Sequence, residues 1–151
     1  MTKYQEQFKR LNRWYERFKK INDGQIHDKP SEFYQDEVCA FFLNCYHLKD
    51  WIINDIAAAS VAGQVEEYIN NNSDLSLCAD ICNSLKHLHL DRERSGEKPK
   101  FGKRSAKLNI GAGLTTIAVK YTIKTSSGYI DAFELATKCM EAWESFIASI
   151  A

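Results

Sequence analysis

The sequence predicts a mainly α fold, a four-helix bundle with a β-hairpin inserted before the last helix, in a single domain spanning residues 1–151. Three observations point there. Apolar residues recur at intervals of three and four along four long segments, which is the helical period. Residues rich in β-branched and aromatic side chains are concentrated in one stretch, 108–125. A chain of 151 residues, 44% of them hydrophobic, can bury one sizeable core without staples.

The first helix is expected over residues 2–21, where Tyr4, Phe8, Leu11, Tyr15 and Phe18 align on one stripe and bases fill the other sides. Asn22-Asp23-Gly24 ends it, because glycine takes the left-handed conformation of a helix C-terminus. Pro30 and Ser31 signal a second helix over about 32–58, with the Ser31 hydroxyl accepting from first-turn amides. Its apolar stripe is Val38, Phe41, Phe42, Cys45, Leu48, Ile52 and Ile56, and His47, Asp50 and Asn54 lie roughly opposite.

A short helix over 62–70 runs into the turn-forming cluster Asn70-Asn71-Asn72-Ser73. The third long helix, about 74–90, has Leu77, Ile81, Leu85 and Leu88 as its apolar stripe and carries Asp80, Asn83 and His87 together on another side. Residues 91–107 hold Gly96, Pro99 and Gly102 among charges, a composition that predicts a mobile basic loop. Residues 108–110 and 115–125 flank Gly111-Ala112-Gly113 as a hairpin, and Ser126-Ser127-Gly128 turns the chain again. Asp131 with Glu134 fits a capped helix start, and Leu135, Cys139, Trp143, Phe146 and Ile150 form the core face of the last helix.

The formal net charge of zero conceals two basic segments. Residues 1–20 hold seven bases against Glu6 and Glu16, a balance of +5; residues 91–107 hold seven against Asp91, Glu93 and Glu97, a balance of +4. Such polarity suits a local surface for nucleic acid or an acidic partner, although a solvated face has the same composition. The first residues carry charge where a secretory signal needs an apolar stretch, and no apolar run has the length of a membrane span, so a cytoplasmic protein without membrane contact is expected. Five cysteines at odd count and without a C-x-x-C pair read as reduced core residues.

The candidate chemistry centres on Cys82-Asn83-Ser84-Leu85-Lys86-His87 in the third long helix, with Cys45-Tyr46-His47-Leu48-Lys49-Asp50-Trp51 in the second. These strings resemble the HEPN superfamily of small bacterial helical proteins, in which an Arg is followed by a polar residue and, further along the helix, by His. Asn83 and His87 occupy the polar and His positions, while Cys82 stands where the Arg is expected. The resemblance implies a metal-independent endoribonuclease, or a degenerate RNA-binding relative, of a defence or toxin system, acting as a homodimer with a composite site. His87 would move protons during attack of the RNA 2′-OH on its phosphate, with Asn83, His47 and Asp50 in support. The missing guanidinium would have to come from elsewhere, and the RNA-binding set expected is Lys86, Arg92, Arg94, Lys103 and Arg104.

Two other readings belong to different classes: a non-enzymatic interaction protein that binds a partner protein, and a small-molecule binder with a pocket between hairpin and helices. No cofactor or metal is expected. Cys78, Cys82 and His87 lack the usual zinc spacings, and Gly111-Ala112-Gly113 lacks the Lys of a phosphate loop. A cysteine-histidine nucleophile pair has no recognisable oxyanion donors to serve it.

Overall fold

The computed structural model describes residues 1–86, 94–111 and 113–150, without the side chain of Lys86. The elements in chain order are α1 (Lys3–Asp23), α2 (Ser31–Ile53), two single 3-10 turns (Ile56–Ala58 and Ala62–Gln64), α3 (Val65–Asn71) and α4 (Ser73–Lys86). There follow β1 (Lys100–Gly111), β2 (Leu114–Thr125), β3 (Gly128–Asp131) and α5 (Ala132–Ala148). The protein is therefore mainly helical, with a three-stranded antiparallel sheet before the last helix.

The long helices share one core, α1 packing on α2, α2 on α4, α4 on α5 and α5 on α1. Phe18 sits at its centre with its ring edge-on to Phe41, Phe42 and Phe133, at centroid distances of 5.9, 6.1 and 5.2 Å. Each such pair adds about 0.5–1.5 kcal/mol beyond the area it buries. Trp143, fully buried, satisfies its indole N–H on the Cys45 carbonyl at 3.0 Å.

Helix ends follow local chemistry. Thr2 and Gln5 form a capping box at the start of α1, and Gly24, at φ 122°, closes it by donating to the Lys20 carbonyl. At α2 the N-cap is Pro30, and Ser31 is the first helical residue, so the expected Ser31 cap is replaced by an end without a side-chain cap. The same helix stops at Ile53 rather than near 58. Asp55 accepts from the amides of Tyr4 and Ala57, each at 3.0 Å, tying the chain to the start of α1 and turning Ile56 outward, 92% exposed. Asp131 caps α5 by accepting from the Glu134 amide at 2.8 Å.

The sheet departs most from expectation. Residues 100–107, expected as part of a mobile loop, form the first eight of the twelve residues of β1, and Gly128–Asp131 adds a third strand to the hairpin. β1 is exposed along almost its whole length, so the basic composition of this segment is compatible with pairing. A bulge between Phe101 and Arg104 absorbs a register shift, and β2 is held to the end of α1 by reciprocal backbone bonds between Gln25 and Ile117, at 3.1 and 2.8 Å. Val119, Tyr121 and Ile123 carry the sheet into the core. Among the described residues no helix is long and apolar enough to cross a membrane.

Candidate functional site

One member of the polar stripe of α2, His47, reaches α4 at Cys82. His47 Nδ1 lies 3.3 Å from Asp50 Oδ2 on its own helix, and its Nε2 lies 4.0 Å from Cys82 Sγ on α4. Cys82 is fully buried and Asn83 half-buried. His87, Arg92 and the side chain of Lys86 lie outside the described residues. Asp80, expected on a solvent-facing or ligand-facing polar side, is instead fully buried. Its carboxylate accepts from the amides of Arg94 (2.8 Å) and Ser95 (2.9 Å) and from the Ser95 hydroxyl, so its role is to fasten the segment entering β1.

That segment places Arg94 beside the two helices. Its guanidinium reaches Glu66 and Asn70 with Nη1, at 2.8 and 2.9 Å, and the Tyr46 hydroxyl with Nη2, at 3.0 Å. Lys49 joins the same carboxylate at 2.8 Å and lies 4.7 Å above the Tyr46 ring. Burial works against ionisation of Glu66, but hydrogen bonds from Lys49 and Arg94 outweigh it and hold its carboxyl below the ordinary value. Two cations thus converge on one acid. The arrangement fixes α2, α3 and the 94–99 segment together, and the guanidinium expected to face RNA is committed inside the protein.

A second set of bases stands free on the sheet. Direct register pairs Lys100 with Lys124 across β1 and β2, and Lys124 with Tyr129 across β2 and β3, so the three side chains form one row on one side of the sheet. All three are exposed, Tyr129 by 60%. Neither lysine has an ion-pair partner among the described residues. Below the ring lies Gly102, where a Cβ would stand 2.8 Å from Thr122 Oγ1 and 3.2 Å from Tyr129 Cε1; only glycine lets the ring settle on the strand. Lys103 and Lys107 extend the exposed bases along β1.

Arg104 belongs to the opposite side of β1, with Tyr121 as its cross-strand partner. It lines a cleft of about 290 Å³ together with His27, Ser31, Tyr34, Val119 and Tyr121, in the position expected for a small-molecule pocket between sheet and helices. His27 stacks on Tyr34 at 3.9 Å, and burial lowers its pKa. Of the described members of the expected RNA-binding set, Lys103 is exposed on the side of the sheet that carries Lys100, Lys124 and Tyr129. Lys120 and Lys124, four residues apart and so on one side of a strand, were the signal for that side of the sheet. No protein-family model, curated protein or solved structure matches this chain.

Proposed function

We propose that the protein is an RNA-binding relative of the HEPN type, a four-helix bundle in which the added sheet, rather than the helical motif, holds the nucleic acid. The observation that carries this reading is the directly opposed pair Lys100 and Lys124, flanked by the exposed ring of Tyr129. Like charges in direct cross-strand register destabilise a sheet, and a bound phosphate relieves the repulsion. The phenol ring beside them offers a stacking platform, worth about 1–3 kcal/mol per base in single-stranded binding sites. Lys103 and Lys107 continue the charge along the strand.

Binding is favoured over cleavage by the fate of the catalytic pattern. The place of the expected Arg is taken by a buried thiol, and Arg94, which reaches Tyr46 of α2, is neutralised by Glu66. His47 and Asp50 retain the geometry of an imidazole beside a carboxylate, at 3.3 Å.

The test is a fluorescence-anisotropy titration with labelled single-stranded RNA over a range of salt concentrations, with a parallel cleavage assay in EDTA. Three or four phosphate contacts predict a log–log salt slope of about −2 to −3. Binding with that slope and no cleavage supports the reading. RNA cleavage that persists in EDTA restores the nuclease reading, and absence of binding at low salt overturns both.

A further inference from the structure

Cys45 of α2, Cys78 of α4 and Cys139 of α5 bring three sulfur atoms within 4.8 Å of one another where these helices meet. All three are fully buried and reduced. Cys78 thus joins Cys45 and Cys139, whereas Cys82 faces His47. Cys78 donates to the Phe42 carbonyl at 3.6 Å and Cys139 to the Asp74 carbonyl at 3.4 Å. Three converging soft donors in a dry pocket form a ligand set.

We infer that Cys45, Cys78 and Cys139 form a buried three-sulfur site for a trivalent thiophilic metalloid, the arsenous-acid class. Two features select this class. The first is donor number. Zinc completes a tetrahedron with a fourth donor, and the cluster contains three sulfurs from three helices. A trivalent metalloid uses three sulfurs and fills its fourth direction with a lone pair. The second is charge. The buried polar residues are Gln7, Asn22, Ser76 and Asp80, so the described core contains no cation to offset a charged thiolate complex. Three thiolates leave a monovalent copper site at −2 and a zinc site at −1, whereas with a trivalent metalloid the product is neutral.

The exchange balances without a redox step. Arsenous acid, As(OH)₃, reacts with three thiols to form three As–S bonds; three As–O bonds break, and each hydroxide leaves as water with one thiol proton. Burial requires a local opening of the core for entry, so binding is slow and the adduct, once formed, joins α2, α4 and α5 by covalent links.

The experiment uses the full chain carrying Cys39→Ser and Cys82→Ser, so that only the three clustered cysteines remain, incubated with arsenite under native conditions. Intact-mass spectrometry reads the adduct, near-ultraviolet absorbance reads the sulfur-to-arsenic bonds, and melting reads the folded state. The expected result is one arsenic per chain with loss of three thiol protons and a higher melting temperature. Replacing any one of Cys45, Cys78 or Cys139 by Ala should weaken binding at least tenfold. Should an alanine variant fail to fold, the mass stoichiometry of the parent protein decides alone. No adduct on the folded parent, an adduct formed only in denaturant, or binding that survives the alanine substitutions in folded proteins would overturn the site.

Discussion

Cys82 Sγ lies 4.0 Å from Nε2 of His47, linking α4 to α2 at the point where the sequence pattern expects an arginine. Full burial of Cys82 makes that position hostile to a guanidinium. Cys82→Arg is therefore expected to destabilise the fold by about 3 kcal/mol or more, the usual consequence of an uncompensated buried charge. Urea unfolding measures it. A Cys82→Arg protein as stable as wild type, with RNA cleavage gained, would show that the position opens toward substrate.

Asp80 is a fastening residue for the chain between α4 and β1. Its replacement by alanine leaves the amides of Arg94 and Ser95 and the Ser95 hydroxyl without their acceptor. The expected loss is about 3 kcal/mol, again read by urea unfolding. A loss below about 0.5 kcal/mol, the range of ordinary surface substitutions, would mean that water replaces the carboxylate at little cost.

Glu66 predicts the acid side of the stability profile. Its carboxyl titrates below the ordinary glutamate value of 4.5 in the folded protein, because hydrogen bonds from Lys49 and Arg94 outweigh the effect of burial. A lowered folded pKa means stabilisation that is fully present above the ordinary value and disappears as pH falls through the folded one. The difference in melting temperature between wild type and Glu66→Gln should be constant near neutrality and shrink below about pH 4.5. A difference that grows on acidification would contradict the ion-pair assignment.

Much of the helical framework was legible from apolar spacing. Leu11 and Phe18 in α1, Val38 through Ile52 in α2, and Leu135 through Phe146 in α5 are buried as their period requires. Two kinds of feature were not legible. Charge and glycine at 100–107 resemble a loop, because β1 is exposed along almost its whole length and Gly102 makes room for a ring from β3, a partner distant in sequence. Asp80 reads as one member of a polar helical stripe, and only the returning chain at Arg94 and Ser95 makes its burial favourable. The candidate site suffered likewise: His47 and Asp50 were visible as an i, i+3 pair, whereas the row of Lys100, Lys124 and Tyr129 exists only after three strands are in register.

The most direct measurement of the RNA-binding account is the affinity of Lys100→Glu for single-stranded RNA, taken with its melting temperature. Glutamate opposite Lys124 replaces a repulsive cross-strand pair with an attractive one, so the variant should melt no lower than wild type. Its RNA affinity should nonetheless fall by about tenfold or more, since a phosphate contact is lost and a negative charge takes its place. Lys29→Glu, at an exposed position outside the sheet, should change affinity much less. A stably folded Lys100→Glu protein that binds RNA as tightly as wild type would contradict the assignment of the sheet surface as the RNA site.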